Sequence, residues 1–237
     1  MTEEEQQEPY RRAMVVVAHA DDAEFGCSGT VVKWVQEGME VVYVIVTDGS
    51  KGIEDRGISS ETLVKMRQQE QRDAGKILGL KDVVFLGYPD AYLQPTLEVR
   101  RDITREIRRH KPDVLITTNP TRQLTGTGYI GHPDHFAAGE AALSAVFPAA
   151  RDHLTFPELL EEGLEPHKVR EVLITGHDPP DKWIDVTDSI DTAVEALLAH
   201  TSQLGQEAAD RVREWKREAG KEHGSEYAEA FKSFILR

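Results

Sequence analysis

Short, almost unbroken apolar runs alternate along this chain with longer stretches whose apolar residues recur every three or four positions. Residues 13–18 are apolar throughout and predict a strand buried on both faces, followed by a helix over 23–38 that the glycine at its end stops. A second strand is predicted over 40–47, ending in the turn sequence Asp48-Gly49-Ser50. The polar segment 49–60 is long enough to form a wall or lid. A helix over 61–78 is closed by Gly79, and a third strand covers 83–86. The next helix, 97–110, ends before Lys111-Pro112, and the fourth strand is 114–118. From Ala193 onward the pattern is charged and helical, and residues 1–12 read as a disordered arm. No repeat or linker interrupts the rest, so 1–237 is expected to be one domain.

Strands alternating with helices predict an α/β fold, a Rossmann-like three-layer sandwich with a mostly parallel sheet and a helical C-terminal part. Right-handed crossovers leave few arrangements for four such strands, and the common 3-2-1-4 order puts the first beside the fourth. Ligands of such sheets bind outside the carboxyl ends of the strands, where the strand order reverses.

Two acid and histidine clusters fall at those ends. His19-Ala20-Asp21-Asp22-Ala23-Glu24 follows the first strand, and Gly131-His132-Pro133-Asp134-His135 lies beyond the fourth. A catalytic zinc site takes three protein ligands and keeps positions open. His19 and Asp22 can face one point from the start of a helix, with His135 arriving from the second cluster as the third ligand. Asp21 is then free to act as general base toward a water activated by the ion. His132, held protonated by Asp134, would stabilise an oxyanion and pass a proton to the leaving amine. Taken singly, these residues have plainer readings: Asp21 or Asp22 as a helix N-cap, the histidines as surface groups at a helix start. Glu24 reads as a first-turn anion favoured by the helix dipole. Gly26-Cys27-Ser28-Gly29 lacks the spacing of a dinucleotide site. His110, His153, His167 and His223 read as solvated, His177 as facing the crevice and His200 as packed in the C-terminal part.

Composition narrows the partners. The 237 residues carry 28 basic and 42 acidic side chains, a net charge of −14, which argues against nucleic acid. No apolar run is long enough to cross a membrane, and the acidic N-terminus is unlike a secretory signal, so a cytoplasmic protein is expected. Cys27 is the only cysteine and excludes an internal disulfide.

The segment from Ala18 to Glu24, with Gly26 and Gly29-Thr30, resembles the first signature of the PIG-L (LmbE-like) family of zinc-dependent N-deacetylases. Gly131-His132-Pro133-Asp134-His135 resembles the second. Thr47-Asp48-Gly49, Arg67 with Glu70, Leu78-Gly79, the run from Phe85 to Asp90, Asp185-Val186-Thr187 and the run from Ala199 to Gln203 match the same pattern. The resemblance implies removal of an N-acyl group, most often acetyl, from a glucosamine-type small molecule. It implies His19, Asp22 and His135 as ligands of Zn²⁺, with Fe²⁺ an alternative ion. It makes Asp21 the base, His132 the acid or electrostatic partner, Asp134 its orienter and Arg67 a substrate contact. Without it, Arg67 reads as a surface helix pair with Glu70. It further implies a homo-oligomer, trimer or hexamer. Ala20 stands where proline is usual, a form shared with relatives that deacetylate N-acetylglucosaminyl malate; the ending from Tyr227 to Phe231 resembles that group too. Where some members have a tyrosine two residues before the first histidine of the second signature, this chain has Ile130, with Tyr129 one position earlier. Segment 121–128 leads into the site and is expected to govern substrate choice, with Arg122 joining Arg67 in setting the charge of the substrate pocket. Two other classes fit the bare residues: a facial triad of a non-haem Fe(II) oxygenase, and a sugar- or metal-binding module without turnover.

Overall fold

The computed structural model describes residues 8–124, 130–221 and 223–236. Strands β1 (Arg12–Val17), β2 (Glu40–Thr47), β3 (Asp82–Tyr88), β4 (Val114–Thr118) and β5 (Glu171–Thr175) pair in parallel. With β6 (Lys182–Asp185) and β7 (Ala228–Ile235) they form a seven-stranded sheet in the order β3-β2-β1-β4-β5-β7-β6, β7 running antiparallel to both neighbours. The helices are α1 (Asp22–Gly26), α2 (Ser28–Gln36), α3 (Ser60–Leu78), α4 (Leu97–His110), α5 (Pro133–Ser144), α6 (Glu158–Glu161), α7 (Ile190–Leu198) and α8 (Gln206–Lys221). The expected 3-2-1-4 order of the first four strands is present, and the switch in strand order falls between β1 and β4.

Strand β1 explains why its sequence shows no alternation. Met14, Val16 and Ala18 pack with Ile103 and Ile107 of α4 and Ala138 and Ala142 of α5. Ala13, Val15 and Val17 pack on the other face with Val31 and Val32 of α2 and Ala74 and Leu78 of α3. Helices cover both faces, so every position of the strand has to be apolar. Helix ends follow local chemistry: the Ser59 hydroxyl accepts the Thr62 N–H at 3.2 Å, and Gly79 closes α3 at φ 75°.

Two expectations change. The predicted helix over 23–38 is broken at Cys27 (φ −151°), which gives α2 its own N-terminus. There the Gly29 and Thr30 N–H groups donate at 2.9 and 2.7 Å to the buried carboxylate of Glu229, which also pairs with Lys216 of α8. The C-terminal part is helical only to Lys221; Ala228–Ile235 inserts between β5 and β6 as a strand. Glu229 and Lys232 within Ala228–Ile235 disguise it as a charged helical segment, whereas Glu229 is neutralised inside the fold by Lys216 and the α2 N-terminus. Of the expected N-terminal arm, residues 1–7 lie outside the described residues; the Arg170 guanidinium covers the Tyr10 ring at 4.6 Å and Arg12 opens β1. Among the described residues no helix is long and apolar enough to cross a membrane.

Helix α5 carries the second cluster and lies against the end of β4. The Thr118 hydroxyl donates to the His135 carbonyl at 2.6 Å, and a Cβ on Gly139 would come within 2.3 Å of the Thr118 carbonyl oxygen. Backbone blocks that methyl, so α5 has to shift to admit it. Gly139→Ala is therefore expected to destabilise the protein by about 2–4 kcal/mol. Thermal unfolding of the purified variant checks this; an unchanged protein would mean that the close approach is unimportant.

Candidate metal and catalytic site

The chain leaves β1 at Val17, passes through His19 and turns into α1 at Asp21, whose φ of 91° is in the left-handed region. That turn folds the Asp22 carboxylate back to accept the His19 N–H at 2.8 Å. At the start of α5, His132 is the N-cap, its Nδ1 accepting the Asp134 N–H at 3.3 Å, and Pro133 occupies the first turn. His135 then reaches across, with Nε2 3.2 Å from His19 Nδ1 and 3.0 Å from Asp22 Oδ1. One ligand atom from each of His19, Asp22 and His135 lies within 4.8 Å of the others, a two-nitrogen, one-oxygen set that suits a divalent ion.

A second group meeting the same distance test is His19, Asp90, His132 and Asp134, and it engages the opposite ring nitrogen of His19. Its carboxylates are already occupied. Asp134 accepts the Ala91 and Leu93 N–H groups at 2.7 and 3.3 Å, and Asp90 accepts the Lys51 N–H at 3.0 Å. Both approach His19 Nε2, Asp90 at 3.0 Å and Asp134 at 3.4 Å. Carboxylates behind an imidazole fix its ring and tautomer, leaving Nδ1 to face His135 and Asp22.

Charge is concentrated here. Burial favours a neutral His19, but hydrogen bonds with Asp134, Asp22 and Asp90 outweigh it and push its pKa up to about 12. Burial likewise works against the charged forms of Asp22 and His135, yet the pair holds Asp22 well below the usual carboxylate range and raises His135. In the metal-free protein the positive charge shared by this histidine pair stands in for the cation that the carboxylates require. Asp21 goes the other way: burial and the Asp22 charge push it up to about 7, against the opposing charges of Arg67 and His200.

Several sequence expectations are refined. His132 is not held protonated by Asp134: their side chains are 3.9 Å apart, Asp134 is used elsewhere, and burial together with the His19 charge lowers the His132 pKa. Arg67 is buried rather than paired on the surface with Glu70; it donates to the Ala20 carbonyl at 2.9 Å and sits 3.6 Å from the Asp21 carboxylate. Arg122 is exposed, donates to the Ile130 carbonyl at 3.3 Å and covers the Phe136 ring. Of the segment expected to govern substrate choice, 125–128 lie outside the described residues, as does Tyr129. Glu24 stands in the first turn of α1, as expected, and is there fully buried and receives the Gln71 amide at 2.9 Å. His177 contacts the Pro179 carbonyl at 3.2 Å. Sequence reasoning gave Asp90 and Gln71 no role. Asp90 carried a usable signal, a carboxylate just past a strand end; Gln71, inside a helix, carried none.

Comparison with known proteins points to one family. The profile of the family PIG-L: GlcNAc-PI de-N-acetylase matches residues 14–146. The diacetylchitobiose deacetylase of Thermococcus kodakarensis is 30% identical over 226 residues, covering 94% of this chain and 82% of that protein. A probable N-acetyl-alpha-D-glucosaminyl L-malate deacetylase 2 of Bacillus anthracis is 30% identical over 218 residues, with 87% of each chain covered. Among solved structures, the N,N'-diacetylchitobiose deacetylase of Pyrococcus horikoshii, complexed with its inhibitor MPG, superposes with a TM-score of 0.87 at 27% identity, covering 95% of this chain and 84% of that one. By the residues that the profile matches and by these relatives, the chain belongs to the PIG-L family of N-deacetylases.

Proposed function

We propose that this protein is a metal-dependent N-deacetylase that hydrolyses the acetamide of a small N-acetylglucosamine compound, with Zn²⁺ as its ion and Fe²⁺ as an acceptable substitute. The observation that carries the reading is the convergence of His19, Asp22 and His135 on one point, with Asp21 beside them and outside that set. A divalent ion in this set supplies Lewis acidity toward a carbonyl oxygen and lowers the pKa of water toward ~7. Asp90 and Asp134 orient His19 so that Nδ1 faces Asp22 and His135. Asp21, raised to about 7, accepts the proton of the attacking water; the neighbouring Arg67 cation keeps the carboxylate ionisable. With its Nδ1 accepting from the α5 backbone, His132 carries a proton on Nε2. Its Nε2–H would stabilise the oxyanion, and the proton that Asp21 has taken from the water would pass to the departing amine. Arg67 acts here by holding Ala20 and Asp21, and Arg122 is the residue assigned to the aglycone. The relatives' substrates, diacetylchitobiose and N-acetylglucosaminyl malate, support an amino sugar as the reacting half. Cys27 is buried and the sequence has no second cysteine, in keeping with a reducing cytoplasm, and a homo-oligomer is the assembly proposed.

The test is amine release from N-acetylglucosamine, its malate and inositol glycosides and chitobiose, using metal-stripped protein with and without added Zn²⁺. Release that depends on the ion and favours one aglycone is the expected result. Stoichiometric metal uptake without release from any of them would leave a binding module.

A further inference from the structure

A buried chain of polar side chains runs from the back of Asp21 into the protein. Gln71, Glu24 and His200 are each 0% exposed. Gln71 Oε1 accepts the Asp21 N–H at 3.1 Å, and its Nε2 donates to Glu24 Oε1 at 2.9 Å. Glu24 Oε2 lies 3.4 Å from His200 Nε2, and neither this oxygen nor either His200 ring nitrogen has a hydrogen-bond partner. His200 is delivered by the turn after α7, and that turn is itself pinned to α3: Glu70 accepts the Ser202 N–H and hydroxyl, each at 2.7 Å, and the Thr201 hydroxyl at 3.0 Å.

The chain has a direction. Glu24 Oε1 accepts from the NH₂ end of Gln71, which leaves only the amide oxygen for Asp21. That oxygen meets an N–H in a left-handed residue that is not glycine, a conformation that costs energy and persists only where the surroundings enforce it. We infer that Gln71, oriented by the buried Glu24–His200 pair, is a positioning residue that holds the Asp21 backbone in this turn and so aims its carboxylate at the reacting water. This rests on Asp21 being the base. It also gives a purpose to the sequence run from Ala199 to Gln203, which the metal site leaves unused.

Gln71→Leu is expected to lower kcat by roughly 10- to 100-fold, the cost of misplacing a catalytic group by about 1 Å, with KM and bound metal unchanged. Glu24→Gln keeps the packing but lets the Gln71 amide turn over. It should cause a smaller loss alone and none beyond that of Gln71→Leu in the double variant. Amide hydrogen exchange at Asp21, followed by NMR in the metal-loaded protein without substrate, should accelerate in both single variants. Wild-type kcat with unchanged Asp21 exchange in Gln71→Leu would overturn the inference, as would kcat losses that simply add in the double variant. If Gln71→Leu does not fold, Glu24→Gln carries the same exchange test. Failure of the wild type to release amine would count against the deacetylase reading alone, because the exchange measurement judges Gln71 without turnover.

Discussion

Asp21→Asn is expected to abolish most turnover, by about 10²- to 10⁴-fold in kcat, while making the metal-free protein more stable at pH 8. The first effect follows from removing the carboxylate proposed as the base; Asp90 and Asp134, the neighbouring carboxylates, are engaged with His19 and with backbone N–H groups. The second follows from the cost of charging Asp21 where it sits. Its pKa in the folded protein is about 7, raised from 3.8 by burial and the Asp22 charge. Between these values the folded state binds the proton more tightly than the unfolded chain. The stability linked to that proton is fully present below about pH 4 and is lost as pH rises through about 7. Asn carries no charge to desolvate and tolerates the left-handed φ of 91°, so the variant escapes this loss. Thermal melts of stripped protein at pH 5 and pH 8 should show the variant's advantage growing with pH, by several degrees. Turnover within tenfold of wild type would remove Asp21 from the base role; a lower melting temperature at pH 8 would show that Arg67 compensates its charge fully. Such an exchange of stability for reactivity is common where a fold holds a group in an unfavourable state.

Metal uptake is expected to release about one to two protons per ion at pH 7, and its apparent affinity to rise about tenfold or more per pH unit from 6 to 8. His19 and His135 both have raised pKa values in the metal-free site, His19 near 12. Each has to give up its ligand proton to coordinate. The sign for stability is opposite to that of an ordinary acid. The His19 contribution is complete below about pH 6.5 and is lost as pH rises toward 12, so the stripped protein weakens steadily through the neutral range. Calorimetric titration in buffers of different ionisation enthalpy counts the protons, and a pH-independent affinity would remove His19 and His135 from the ligand set. His19→Ala is expected to lose the metal and all activity. It should also cost about 3–5 kcal/mol, because Asp22, Asp90 and Asp134 then face one another without their shared cation.

Much of this site was legible because its residues sit next to strands. His19 to Glu24 and His132 to His135 are compact clusters, and the crossover rule for parallel strands predicts their meeting between β1 and β4. The roles of Asp134, Arg67 and Glu24 were not legible, because each depends on a partner far along the chain. Asp134 reads as a partner for His132 from sequence spacing, yet its oxygens meet Ala91, Leu93 and His19. Arg67 and Glu70 look like a helix-surface pair, but the first turns inward to Ala20 and the second holds the turn at Ser202. The C-terminal strand was missed for a similar reason. Its charges look solvated until Lys216 and the N-terminus of α2 are known to lie against Glu229.

The sequence by itself determined the alternation of strands and helices, narrowed the order of the first four strands to a few arrangements, and supplied the residue types that converge at the site. These depend on periodicity, on turn residues and on the handedness of the chain, all of which act locally. Only the tertiary structure decided which nitrogen of His19 faces Asp22 and His135, which carboxylates stand behind it, and what holds Asp21 in its turn. Those are contacts between residues up to 116 positions apart, and no local pattern encodes where a buried hydrogen bond finds its partner.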